Sequence, residues 1–91
     1  MPVLQEKITI QNLKGMHARA TSAFVKVASE FQSDITIIKS DGTTASGKSI
    51  MDILMLAIPL GEEITLCIDG SDAQKAMISL TNLINNRFGE D

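Results

Sequence analysis

With 91 residues, of which 44% are hydrophobic, the chain is expected to form one small domain over residues 1–91 around a single core. Its formal net charge is −3, whereas proteins that bind nucleic acids usually carry an excess of clustered positive charge, so nucleic acid is not an expected partner. No apolar run is long enough to span a bilayer, and the first residues show no signal-peptide pattern. We therefore expect a cytoplasmic protein without membrane insertion.

The first predicted elements are a strand and a helix joined by a loop. Alternation of isoleucine with polar residues predicts a half-buried strand over about residues 5–11. A loop over residues 12–16 follows, in which Gly15 lets the chain turn sharply. A helix is predicted over about residues 18–31, because apolar positions recur at helical spacing. Its apolar stripe consists of Thr21, Phe24, Ala28 and Phe31.

A hairpin comes next. Strands are predicted over residues 34–39 and about 43–46, and the Asp41-Gly42 pair between them favours a tight turn because glycine readily adopts positive φ.

A short second helix is predicted over about residues 50–57. Ser49 and Asp52 fit a capping box in which aspartate replaces glutamate. This helix is apolar on nearly all sides, so some of its side chains should remain exposed. Exposed apolar patches often mark docking surfaces.

The last predicted elements are a strand over residues 63–69 and a helix from residue 73 to about residue 84. Residues 85–91 are predicted to fray into a polar tail. The order βαββαβα indicates an α+β fold of two layers, and one face of an antiparallel sheet can remain solvated.

Disulfide and metal chemistry are not expected. Cys67 is the only cysteine, and in its strand it is interpreted as a small hydrophobic residue rather than a reactive thiol. His17 has no second histidine and no nearby carboxylate at ligand spacing in the sequence. We predict no metal site and no cofactor.

His17, the only histidine, stands immediately before the first helix. The first backbone N–H groups of a helix lack internal partners and attract anions, phosphate in particular. Arg19 adds a guanidinium that can pair with phosphate oxygens, and Lys14 and Lys26 could form a basic rim. The alternative is that His17 is an ordinary polar cap. A nucleophilic triad at Ser22 lacks a recognisable base.

Ser49 is the second candidate. It is interpreted first as a helix cap, and second as a phosphorylation site, since a phosphate is favourable at a helix start. Lys48 could be recognised by a kinase or be a solvated charge. Ser46 lacks the capping pattern.

Two motifs together resemble a known family. Gly15-Met16-His17-Ala18-Arg19 is similar to the active-site segment of the HPr family, the histidine-containing phosphocarriers of the bacterial phosphoenolpyruvate-dependent phosphotransferase system. The segment Gly47-Lys48-Ser49-Ile50-Met51 resembles the regulatory-serine segment of that family. The resemblance covers about residues 7–88.

The resemblance implies a phosphocarrier rather than an enzyme. It implies that Enzyme I phosphorylates the δ nitrogen of His17, that Arg19 stabilises the phosphoryl group, and that an enzyme II A component receives it. It also implies an open-faced β-sandwich, in which three helices cover one face of a four-stranded antiparallel sheet. We further expect a monomer. Ser49 would be the target of an HPr kinase/phosphorylase. The family docking surface corresponds to Ile50, Met51, Leu54, Met55 and, at its rim, Lys26.

One residue departs from the family pattern, because Ala20 stands where proline usually follows the arginine. Proline would fix φ in the first helical turn, whereas alanine restores an N–H donor. The ending over residues 85–91 resembles the nitrogen-related paralogue NPr, while residues 47–51 resemble the sugar-system proteins. Two alternatives remain from the sequence: a regulatory binding module switched through Ser49 with His17 idle, and a small ligand-binding domain unrelated to phosphate.

Overall fold

The structure is a computed structural model that describes residues 3–90. It contains four strands, β1 (Val3–Thr9), β2 (Asp34–Ile38), β3 (Thr44–Ser46) and β4 (Glu63–Asp69), and three helices, α1 (Ala18–Ala28), α2 (Ile50–Met55) and α3 (Ala73–Asn85). A 3₁₀ turn, Arg87–Gly89, follows α3. The predicted order βαββαβα is confirmed.

The four strands form one antiparallel sheet in the order β1-β4-β2-β3. Successive side chains of a strand point to opposite faces. Ile64, Leu66 and Ile68 of β4 are therefore fully buried against the helices, while Thr65 and Cys67 between them are only half-buried on the other face. This arrangement confirms the α+β open-faced sandwich, with three helices on one face of the sheet.

Cys67 is half-buried and lies outside the hydrophobic core cluster. Strand alternation places it on the solvent-facing side, where its Sγ lies 3.7 Å from Nε2 of Gln5 on the neighbouring strand.

Helix α1 ends three residues earlier than predicted, although Phe31 still contacts the core. The carboxylate of Asp72 accepts the backbone N–H groups of Gln32 and Ser33, at 2.9 and 3.0 Å. Nζ of Lys48 donates to the Phe31 carbonyl at 2.7 Å. These side chains bind the polar backbone groups beyond the helix, so the chain can leave the helix without burying unpaired groups. Lys48 thus binds the backbone beyond α1 while its side chain remains exposed.

Strand β1 lies two residues earlier than predicted, since Val3 pairs with Asp69 and regular pairing stops at Thr9. Beyond it, Ile10 exchanges backbone hydrogen bonds with residues 61 and 62 of the turn before β4, at 2.9 and 3.0 Å. Helix α2 ends at Met55 rather than at residue 57, because Ala57 has a φ of 51° and cannot continue a right-handed helix.

Ala57 is expected to be a point of backbone strain, since alanine in the left-handed region carries a Cβ that crowds the following carbonyl. Ala57→Gly should raise the free energy of unfolding by about 1 kcal/mol. Urea titration would measure the gain. The control, Ala23→Gly inside α1, should lower stability by about 1 kcal/mol. A destabilised Ala57→Gly protein would contradict the assignment of strain.

Candidate functional site

His17 is the N-cap of α1, with extended backbone angles of φ −75° and ψ −178°. Its carbonyl accepts the backbone N–H of Thr21 at 2.8 Å, which is the first intrahelical hydrogen bond. The ring nitrogen Nδ1 accepts the backbone N–H of Arg19 at 3.3 Å. The predicted cap is confirmed, and Nδ1 rather than Nε2 is the nitrogen that faces the start of the helix.

The loop before His17 is held by close backbone contacts. Gly15 has a φ of 63°, and a Cβ at this position would meet the Ile58 carbonyl and lie 2.8 Å from Cα of Pro59. The adjacent Met16 N–H donates to the same Ile58 carbonyl at 2.9 Å. Only glycine therefore fits where the loop rests on the segment that follows α2.

A carboxylate meets the other side of the ring. Oε1 and Oε2 of Glu90 lie 2.9 and 3.1 Å from Nε2 of His17, although the two residues are 73 positions apart. The side chains of His17 and Glu90 are 27% and 14% exposed, so solvent screens the contact only in part.

The predicted fraying of the tail after α3 is wrong over residues 85–90, and Asp91 lies outside the described residues. Arg87 and Phe88 have φ values of 55° and 56°, which turn the chain back toward the site. Phe88 packs against the hydrophobic core, so burial of its ring stabilises the turn. The tail thereby carries Glu90 to His17.

The partners of the imidazole determine where its proton lies when the ring is neutral. An ionised carboxylate only accepts hydrogen bonds, and a backbone N–H only donates. Nε2 must therefore carry the proton toward Glu90, and Nδ1 must present a lone pair toward the Arg19 N–H. In the neutral ring, the nitrogen that carries the lone pair is therefore Nδ1.

Hydrogen bonding stabilises the ionised form of Glu90. The hydrogen bond from His17, followed by that from Asn12 and by the charge of Arg19, lowers the pKa of the Glu90 carboxyl below its usual value, despite partial desolvation. A carboxyl with a lowered folded-state pKa stabilises the fold above its unfolded pKa and loses that contribution as the pH falls through its folded pKa. The Glu90 contact therefore contributes fully at neutral pH, and its contribution is lost in acid as the pH falls through the lowered pKa of the folded protein.

An open cavity of about 220 Å³ adjoins the ring. It is lined by Leu13, Lys14, His17, Arg19 and Glu90. Of the two lysines predicted to form a basic rim, only Lys14 lines this cavity, together with the guanidinium of Arg19. Lys26 lies instead in the last turn of α1 and does not line the cavity. Two cations beside a helix start form a suitable environment for a small dianion.

Ser49 is the N-cap of α2, and its Oγ accepts the Asp52 backbone N–H at 3.2 Å. This confirms Ser49 as the helix cap. The reciprocal half of the predicted capping box is not formed, because the Ser49 N–H donates to the Ser46 carbonyl at 3.2 Å rather than to the Asp52 carboxylate. The hydroxyl of Ser46 accepts the Lys48 backbone N–H, also at 3.2 Å, so it shapes the turn that leads to Ser49.

Helix α2 presents an apolar surface to solvent. Ile50, Met51 and Met55 are 42%, 66% and 77% exposed, while Leu54 is half-buried. Ile53, in contrast, is fully buried. The expectation that this helix cannot bury all its apolar side chains is confirmed.

Within residues 3–90, no group of three or more histidine, cysteine, aspartate or glutamate side chains is placed to hold a metal ion. No helix among the described residues is both long and apolar enough to cross a membrane.

Sequence reasoning missed Glu90 and Asn12. Glu90 is far from His17 in the chain, and only the apolar Phe88 within the polar tail could have indicated that the tail returns to the core. Asn12 is fully buried within the predicted loop, and nothing in its local sequence distinguishes it from an ordinary loop asparagine.

Known proteins share the sequence pattern and the architecture of this chain. A family model described as the PTS HPr component phosphorylation site matches residues 4–86. The chain is 46% identical over 88 residues to a phosphocarrier protein HPr of Neisseria meningitidis, covering 97% of this chain and 98% of that protein. It is 38% identical over 90 residues to a phosphocarrier protein NPr of Shewanella violacea, covering 99% and 98%. A crystal structure of HPr-C-His from Thermoanaerobacter tengcongensis superposes with a TM-score of 0.92 at 36% identity, covering 97% of this chain and 98% of that one.

Proposed function

Because the chain belongs to the HPr family of phosphocarrier proteins, we propose that it accepts a phosphoryl group from phospho-Enzyme I on Nδ1 of His17. It then passes the group to an enzyme II A component, and it acts as a monomer in the cytoplasm. The observation that carries this proposal is the hydrogen bonding of the ring, with Nε2 held by Glu90 and Nδ1 directed to the start of α1.

The proposed step needs no proton to leave the attacking atom. The Nδ1 lone pair attacks phosphorus, and a bond forms between them as the bond from phosphorus to the donor atom of Enzyme I breaks. The electron pair of the broken bond stays with the donor. Positive charge develops on the ring, and the Glu90 carboxylate beside Nε2 stabilises it, as a carboxylate does for the histidine of a serine protease triad.

The start of α1 would receive the transferred group. The hydrogen bond from the Arg19 N–H to Nδ1 is long, at 3.3 Å, so little is lost when this N–H turns to a phosphoryl oxygen. The side chains of Arg19 and Lys14 line the same cavity and supply positive charge. Because these groups are already in place, transfer in either direction requires little rearrangement.

The substitution of the usual proline by Ala20 is compatible with this proposal. Ala20 is buried, with 1% exposure, and α1 nevertheless begins at Ala18 with His17 as its cap. The cap forms without the restriction that proline would impose on φ.

We assign partner docking to the exposed surface of α2. Ile50, Met51 and Met55 provide apolar area, Leu54 contributes at its half-buried edge, and Lys26 adds an exposed positive charge on α1. Helices α1 and α2 contact each other, so this surface is continuous with the element that carries His17. Both Enzyme I and the enzyme II A component would use it in turn.

Ser49 is the proposed regulatory site, because its hydroxyl lies at the start of α2 next to the docking surface. With ATP and an HPr kinase/phosphorylase, the chain should gain an acid-stable phosphate, and transfer from Enzyme I should then slow by about tenfold through charge placed beside Ile50. Mass spectrometry and a transfer assay would measure both effects. Ser49→Ala should abolish the label, while the control Ser46→Ala should retain it. A label that survives in Ser49→Ala would refute the assignment.

The carrier function is tested with phosphoenolpyruvate and purified Enzyme I. Intact-mass measurement should show one added phosphoryl group that is labile in acid and stable in alkali, as expected for phosphohistidine. Addition of an enzyme II A component should discharge it. If a competent Enzyme I leaves the chain unmodified, the carrier function is wrong, and a regulatory binding module becomes the better hypothesis.

A further inference from the structure

Asn12 lies in the loop before His17, and its side chain is completely buried. Its Nδ2 donates to the Gly15 carbonyl at 2.6 Å and to Oε1 of Glu90 at 3.0 Å. We propose that Asn12 is a positioning residue that acts through Glu90. It holds Oε1 against Nε2 of His17 and so keeps the Nδ1 lone pair available. This inference rests on the proposed function of His17 as phosphoryl acceptor.

The bonding pattern fixes the orientation of the amide. The Gly15 carbonyl and the Glu90 carboxylate are both acceptors, so the amide nitrogen must face them and the amide oxygen must point away. Oε1 of Glu90 then accepts from Asn12 and lies 2.9 Å from Nε2 of His17. One oxygen thus joins the buried loop amide to the imidazole.

A glutamate side chain has three rotatable bonds, and a single hydrogen bond to a ring leaves much of that freedom. The second hydrogen bond, from a buried donor, restricts the rotation of the Glu90 carboxylate. Supporting hydrogen bonds of this kind orient the groups that act on a histidine.

The other amide atom of Asn12 supports a functional role. Its Oδ1 is buried and has no hydrogen-bond partner among residues 3–90. An unpaired buried acceptor lowers stability, so loop packing alone does not explain an asparagine here. A destabilising buried group of this kind is expected where the same side chain has a role at a functional site, here through the hydrogen bond of Nδ2 to Glu90.

The competing explanation is that Asn12 acts only by holding the Gly15 carbonyl. A double-mutant cycle with Asn12→Ala and Glu90→Ala separates the two. We expect Glu90→Ala to slow phosphoryl transfer about tenfold and Asn12→Ala about fivefold, with the double variant close to tenfold rather than fiftyfold. An equal effect of Asn12→Ala with and without Glu90 would overturn the inference.

Gln11→Ala is the matched control. The adjacent Gln11 side chain is exposed and donates to the end of α3, through Oδ1 of Asn85 at 3.1 Å, and it does not line the cavity beside His17 and Glu90. The Gln11→Ala substitution should therefore leave the rate of phosphoryl transfer unchanged.

The cycle is run with two donors, phospho-Enzyme I and phosphoramidate, which requires no protein docking. With phosphoramidate, the Nδ1–P bond forms as the P–N bond of the donor breaks and ammonia leaves. If the chain reacts with phosphoramidate and not with Enzyme I, the proposed function fails while the role of Asn12 is still measured. The same non-additivity is expected with both donors.

A measurement on the unphosphorylated protein provides an independent test. The charged or titratable groups around Glu90 are His17 and Arg19, with Lys14 lining the same cavity, whereas Asn12 is an uncharged donor. Loss of the Asn12 donor should raise the pKa of Glu90, as followed by NMR titration of its side-chain carboxyl. Gln11→Ala should not raise this pKa. An unchanged pKa in a folded Asn12→Ala protein would overturn the inference without any transfer assay.

Discussion

Replacing His17 by alanine is expected to abolish phosphoryl acceptance from Enzyme I, with a fall in rate of at least ~1000-fold. The chain has no other histidine. The cavity, Arg19 and the start of α1 would still bind an anion in the variant, but no nitrogen lone pair would remain to form the bond to phosphorus. Intact-mass measurement after incubation with phosphoenolpyruvate and Enzyme I checks the result.

Two controls make this test specific. Ser49→Ala should accept the phosphoryl group as the wild type does, because its hydroxyl is a helix cap and not the acceptor. His17→Ala should keep its fold, since His17 is only half-buried and its loss opens no cavity in the core. An acid-labile label of normal intensity on folded His17→Ala protein would show that another residue is the acceptor.

Gly15→Ala is expected to lower the free energy of unfolding by about 3 kcal/mol, which combines the cost of a positive φ with displacement of a packed backbone. The new Cβ would meet the Ile58 carbonyl and Cα of Pro59, neither of which is the end of a flexible side chain. Relief of the clash should break the hydrogen bond from the Met16 N–H to Ile58. Phosphoryl transfer should also slow, because His17 follows directly.

Gly42→Ala is the matched control for this variant. Gly42 has a φ of 91°, and a Cβ there would meet nothing within 4 Å, so only the backbone cost of about 1 kcal/mol applies. Denaturant unfolding measures the loss of stability in both variants. The difference between the two losses gives the cost of the steric contact that the new Cβ makes at position 15. Equal destabilisation would mean that the contact with residues 58 and 59 can relax freely.

The order of strands and helices could be predicted because each type of element has its own spacing of hydrophobic residues along the chain. The alternation in β4 and the stripe through Phe24 and Ala28 depend only on neighbours along the chain, and their burial follows the pattern. Ser49 and His17 could likewise be placed as caps, since a cap is defined by the residues that directly follow it.

The end of α1 and the return of the tail could not be predicted, because distant residues determine them. Asp72 and Lys48 bind the backbone beyond α1, and both are remote from it in sequence. Likewise, the polar composition after α3 indicates fraying, and only the packing of Phe88 in three dimensions reverses that expectation. The contact of Glu90 with His17 therefore could not be predicted from local sequence patterns.

The contact between His17 and Glu90 also bears on the order in which the molecule assembles. It closes a loop of 73 residues, and contacts across such separations are favourable only after the intervening chain is ordered. The sheet, α1 and α3 can therefore form with the imidazole still unrestrained. We therefore expect the ring to acquire its fixed proton arrangement late during refolding, and to lose it early when the segment after α3 opens locally.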